Sequence, residues 1–322
     1  MKSKSVTKVL AGLFTSLSLC AAASVSAQTV SVSSIVEHPA LDSIRDGVKH
    51  SLEQAGYTEA KGLKWQFQTA QGNTAIATQI ARKFVGDNSD VIVAISTPSA
   101  QAVLAASKSV PIVYSAVTDP VAAQLVSSFE ASGTNVTGVS DALALEKQLE
   151  LIKKIVPDAK NVGMVYNPGE ANSAVVVERM KALLSAEDMS LVEATAARTV
   201  DVGAAARSLV GKVDVIYTNT DNNVVSAYES LVKVGNDANI PLIASDTDSV
   251  GRGAIAALGV NYYDLGLQTG EIVVRILKGE KPGDIASQTS NKLELFVNPG
   301  AAEKQGVELD PEFLQTATKI VE

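Results

Sequence analysis

Short apolar runs, each closing in a cluster of hydroxyl, amide and carboxylate residues, recur along this chain with helical stretches between them. The sharpest case is Pro111-Ile112-Val113-Tyr114-Ser115-Ala116-Val117-Thr118-Asp119-Pro120. Its first half reads as a buried strand entered through proline, and its second half as a loop at the strand's carboxyl end. Val91-Ile92-Val93-Ala94-Ile95 followed by Ser96-Thr97-Pro98-Ser99 has the same form. Strands alternating with helices predict an α/β fold whose parallel sheets are covered by helices on both faces. In such sheets ligands bind beyond the carboxyl ends of the strands.

The start of the chain reads differently. Lys2, Lys4 and Lys8 precede an apolar, small-residue stretch from Val9 to Ala23, and Val25-Ser26-Ala27 fits a small-x-small cleavage site. This pattern predicts an export signal removed after Ala27, and hence a periplasmic protein. Cys20 is the only cysteine. Leu19 directly before it disfavours a lipid anchor, so the mature chain is expected to hold no disulfide and no thiol chemistry. Taking away the three lysines of the leader leaves 24 basic against 35 acidic residues, a net charge of −11, which argues against nucleic acid as a partner. Nearly 300 residues exceed what one core usually serves. Two lobes are expected: residues 28–140 with about 250–285, and residues 141–249 with about 286–322.

In order, the pattern predicts strands at 30–36, 63–69, 90–95 and 111–114, with helices at 40–55, from 73 to about 85, and at 99–107. Gly133 to Ser140 is polar and turn-rich and reads as the first passage between lobes. Helices then follow at 143–156, 172–186, 202–210, 224–236 and 263–277, strands at 161–166, 190–194, 214–217, 241–244 and 293–297, and a last helix at 311–320. Several passages between lobes imply halves hinged side by side.

The strand ends define two facing rims. Ser96, Thr97, Ser115, Thr118 and Asp119 offer hydroxyls, a carboxylate and helix-end amides suited to a ligand carboxylate. Asn167, Glu170, Asn172, Asp221, Asn222 and Asp246 offer partners for an ammonium group, with Asp246 ranked above Asp248 because it directly follows a strand. Any one of these residues suits helix capping equally well; the set favours binding. Tyr114, Tyr166 and Tyr217 end strands at the rims, where they either pack on a ligand or join the core. Glu37-His38-Pro39 is positioned to reach the cleft, whereas His50 reads as surface. Asp246-Thr247-Asp248 lacks the ligand number and glycine spacing of a calcium loop, so neither metal nor cofactor is expected. Nucleophile-elbow, phosphate-loop, dinucleotide and zinc-protease signatures are missing, which favours reversible binding over catalysis.

Seven segments in order then match a known family: His38-Pro39-Ala40-Leu41-Asp42, Ala70-Gln71-Gly72, Ala94-Ile95-Ser96-Thr97-Pro98, Val117-Thr118-Asp119-Pro120-Val121, Asn135-Val136-Thr137-Gly138-Val139-Ser140-Asp141, Tyr166-Asn167 with Glu170 and Asn172-Ser173, and Gly266-Leu267-Gln268-Thr269-Gly270. The chain resembles the substrate-binding proteins of ABC transporters that include tryptophan- and tyrosine-binding members. The resemblance implies a type I periplasmic-binding-protein fold, two Rossmann-like lobes joined by a multi-crossover hinge. It also implies a monomer that delivers a free amino acid, aromatic or otherwise apolar, to a permease driven by a cytoplasmic ATPase. Carried onto this chain, Ser96, Thr97, Ser115, Thr118 and Asp119 form one wall, and Asn167, Glu170, Asn172, Asp221, Asn222 and Asp246 the other, with Tyr166 beside them. Two rival roles keep the same fold: a ligand sensor for a signalling receptor, and an exported enzyme.

Overall fold

The computed structural model describes residues 27–290 and 292–322. The expected leader, except for Ala27, lies outside the described residues, and so does Cys20. Five strands open the chain: β1 (Thr29–Ser34), β2 (Lys64–Thr69), β3 (Val91–Ile95), β4 (Ile112–Ser115) and β5 (Val136–Ser140). Five more follow: β6 (Asn161–Tyr166), β7 (Ser190–Thr195), β8 (Val215–Thr218), β9 (Leu242–Ala244) and β10 (Ala256–Val260). Three short ones close it: β11 (Gln288–Thr289), β12 (Leu293–Val297) and β13 (Lys319–Ile320).

They form two sheets, ordered β11-β5-β4-β3-β1-β2 and β13-β12-β10-β9-β8-β6-β7. Pairing is parallel throughout except between β10 and β12. Every residue of β3 is fully buried, as a central parallel strand covered on both faces requires. Each sheet therefore has its own core. Val32, Ile92, Val93, Tyr114 and Phe84 lie in the first, and Val162, Met164, Met180 and Tyr217 in the second.

The helix Pro39–Gln54 lies against the helix Tyr262–Leu277 closely enough that only glycine fits at the crossing. A Cβ on Gly47 would sit 2.4 Å from the Tyr263 carbonyl oxygen, and one on Gly266 2.3 Å from that of Ile44. This contact draws a late helix back onto the first lobe.

Four expectations are corrected. Residues 136–140 are a buried strand rather than a polar passage. Thr137 Oγ1 donates to the Ile285 carbonyl and Ser140 Oγ to that of Thr118, so the polar side chains are paired inside the core. The second return to the first lobe falls later than residue 250, because β10 pairs with β9 and β12 in the second sheet. The chain crosses at Asn261, whose side chain caps the helix Tyr262–Leu277. Residues 288–289 still belong to the first sheet, so the last crossing lies beyond 285. The final helix stops at Gln315, and Lys319–Ile320 pairs with β12 instead. Among the described residues no helix is long and apolar enough to cross a membrane.

Candidate functional site

The carboxyl ends of β3, β4, β8 and β9 converge where the two sheets face each other. One cavity there is lined by His38, Ala40, Leu41, Ser96 and Ala116 of the first lobe and by Thr220, Asn222, Val225 and Asp246 of the second. Asp141 and Tyr262, which stand at two of the crossings, complete its wall. A second cavity shares Asp141 and Thr220 and extends toward Thr118, Leu143, Leu145, Val176, Arg179, Tyr217, Asn219 and Ser245.

The first-lobe wall is set by two residues held in the left-handed region without being glycine: Ser96 at φ 77° and Ala116 at φ 52°. Such backbone costs about 1–3 kcal/mol and is concentrated at functional sites. At Ser96 the turn starts the helix Thr97–Ala106. The first helical bond runs from Ala100 N–H to the Ser96 carbonyl. The amides of Thr97 and Ser99 therefore have no helical acceptor, and Pro98 has no N–H at all. Thr97 Oγ1 and Ser99 Oγ are buried with no partner. This helix end is a donor set with a favourable dipole for an anion.

The second-lobe wall carries the opposite chemistry. Asp246 is 2 % exposed; its carboxylate accepts from Ser249 N–H at 2.8 Å and Ser249 Oγ at 2.7 Å. Burial raises its pKa, and the Ser249 bonds and the charge of Arg252 oppose that rise. Gly259 allows the Asp246 loop to approach β10, since a Cβ there would lie 2.5 Å from the Ser245 carbonyl oxygen. Asp141 accepts from Tyr262 Oη at 3.0 Å and Thr118 Oγ1 at 3.2 Å, and burial raises it too. Thr118 Oγ1 also reaches Thr220 Oγ1 of the other lobe at 3.3 Å.

Of the residues expected from sequence, Ser96, Asn222 and Asp246 line the first cavity and Thr118 lines the second. Thr97, next in the chain to Ser96, is buried and lines neither of these two cavities. The others serve the frame. Ser115 bonds Thr269 at 2.7 Å and ties β4 to the helix Tyr262–Leu277. Asp119 caps the turn at Val121 and Ala122 and pairs with Arg179 across the cleft. Tyr166 donates to Glu193 away from the cleft, and Asn167 Oδ1 accepts from Gly169 N–H.

Asp221 accepts from Asn167 N–H, Ser173 Oγ and Val224 N–H. Glu170 accepts from Asn172 Nδ2 and from both the backbone and the side chain of Asn222. Burial raises both carboxyls, and the charge of Asp221 raises Glu170 further. This buried pair positions Asn222 from behind. The amides of these strand-end loops need acceptors, and the carboxylates supply them. Tyr114 is core, whereas Tyr217 borders the second cavity. Asp141, Thr220, Ala116 and Tyr262 were not singled out from sequence as wall residues. His50 is exposed as expected, bonded to Tyr263 Oη.

Residues 29–321 match the family model described as ABC transporter substrate binding protein. A tyrosine-binding protein from Clostridioides difficile is 42 % identical over 271 residues, 84 % of this chain and 79 % of that one. A Streptococcus pneumonia ABC domain solved with L-Trp is 30 % identical, covering 92 % of this chain and all of that one, with a TM-score of 0.88. A ligand-free, open substrate binding protein from Clostridium difficile is 40 % identical over 92 % of this chain and 99 % of that one, yet its TM-score is only 0.68. The more similar sequence thus has the less similar shape, which fits lobes drawn together here. The two sheets, the cleft and the match over nearly the whole described chain agree: this chain belongs to the family of ABC transporter substrate binding proteins.

Proposed function

We propose that the protein is the periplasmic receptor of an ABC importer, and that it carries a free α-amino acid with an aromatic or other apolar side chain to its permease. The ligand carboxylate meets Ser96, Thr97 and the free amides of the helix Thr97–Ala106. The ammonium group meets Asp246, with Asp141 close by. Ala40, Leu41, Ala116 and Val225 receive the side chain. One observation carries this reading: Ser96, which starts a helix whose first amides have no helical acceptor, and the buried carboxylate of Asp246 line the same cavity from opposite lobes. The tyrosine-binding relative and the L-Trp complex support the ligand class.

Calorimetric titration of ligand-stripped protein with the standard amino acids tests it. Aromatic or large aliphatic amino acids should bind, and acidic ones should not. Asp246→Asn should weaken binding about a hundredfold, because truncating one partner of a buried charge pair costs about 2–5 kcal/mol. Absence of heat with every amino acid would sink the reading.

A further inference from the structure

One wall residue of the first cavity has no task in the reading above. His38 follows β1 in extended backbone, and Pro39 opens the next helix directly behind it. The side chain is 8 % exposed, and its Nδ1 is buried with no hydrogen-bond partner. The ring does not cap the helix that it precedes. A neutral imidazole has one N–H to donate and one nitrogen to accept, and buried polar atoms are normally paired. Burial and the positive charge of Arg252 keep this ring neutral.

Ser96, Asp141, Thr220, Asn222 and Asp246 line the same cavity, and none of them pairs with this Nδ1. Ala40, Leu41, Ala116 and Val225 are apolar, and Tyr262 Oη is already given to Asp141. The cavity wall therefore holds an uncommitted polar atom at His38, beside these apolar side chains. Pockets fix ligand orientation and specificity with a small number of such groups.

We propose that His38 is a specificity-determining residue, whose ring hydrogen-bonds a polar atom on the ligand's side chain. The inference rests on the amino-acid reading above and narrows it. The ligand class becomes an aromatic amino acid bearing a phenol hydroxyl or an indole N–H, in preference to phenylalanine and the aliphatic amino acids. A site built to pair such a group penalises an analogue that lacks it, because the protein's own polar atom is then left unmet.

Titrations of the wild-type protein, His38→Phe and His38→Gln with tyrosine, tryptophan and phenylalanine test the inference. The wild type should bind tyrosine or tryptophan at least about tenfold more tightly than phenylalanine. His38→Phe should bring that ratio to within about threefold. His38→Gln, which keeps a donor and an acceptor, should restore part of the preference. Circular dichroism confirms that each variant is folded. A wild-type ratio near one, or an equal loss for all three ligands in His38→Phe, overturns the role of His38 and leaves the amino-acid reading standing. Failure of the wild type to bind any amino acid overturns both.

Discussion

At the scale of single residues, the cavity wall is assembled from groups that burial makes uncomfortable. Desolvation pushes the His38 imidazole down from 6.5 to about 3, with Arg252 adding to the effect. Between those values the unfolded chain takes up a proton that the folded chain refuses. The His38 contribution is therefore full above about pH 6.5 and is lost as pH falls toward 3, at about 1.4 kcal/mol per unit. Asp141, Asp246, Glu170 and Asp221 act in the opposite sense. Burial raises each, so the folded chain holds their protons more readily than the unfolded chain does. Comparison with His38→Phe cancels the carboxyl contributions. The variant should gain on the wild type as pH drops, by about 2 kcal/mol between about pH 6.5 and pH 5. Urea unfolding at several pH values reads the difference, and curves that stay parallel would contradict a buried neutral ring.

At the scale of elements, the contact between the helices Pro39–Gln54 and Tyr262–Leu277 is the tightest demand on sequence. Gly266→Ala places a Cβ 2.3 Å from the Ile44 carbonyl oxygen, where rigid backbone cannot yield cheaply. Overpacking of this kind costs about 1–3 kcal/mol, so the urea midpoint should fall with an unchanged slope. A midpoint equal to that of the wild type would mean that the helices separate freely. Element scale is also where the sequence is most and least readable. Val91–Ile95 and Asn161–Tyr166 declare themselves as strands because apolar runs of that length have few other uses. Val136–Ser140 does not, since Thr137 and Ser140 look like loop residues until their acceptors arrive from Ile285 and Thr118. Asp246 is legible from its place directly after a strand. Asp141 and Tyr262 are 121 positions apart and meet only because two crossings pass side by side, which no local pattern encodes. Glu170 and Asp221 read as ligand contacts because they are carboxylates beside strand ends; here each accepts an N–H from the other's loop, Asn222 to Glu170 and Asn167 to Asp221.

At the scale of the whole molecule, the question is what holds the two lobes together. Arg179 donates to Asp119 across the cleft at 2.5 Å, and Thr118 meets Thr220 beside the cavities. The arginine side chain is 59 % exposed. An ion pair this open to water contributes about 0–1 kcal/mol and weakens further with salt. It is too weak to set the balance between open and closed forms. A ligand touching both walls is better placed, since it shifts that balance by the full difference in its affinity for the two arrangements. The walls favour such a difference, because Ser96 and Asp246 belong to different lobes and meet one cavity only when the lobes approach. Two substitutions separate the contributions. Arg179→Ala should weaken ligand binding by at most about fivefold, and the effect should vanish in high salt. Asp246→Asn should weaken it far more and at every salt concentration, since its charge is shielded from solvent. Small-angle scattering with and without ligand reports the lobe separation directly. It should show ligand-driven compaction in Arg179→Ala as in the wild type. If Arg179→Ala stayed open at saturating ligand, the ion pair and not the bridging ligand would be the source of closure.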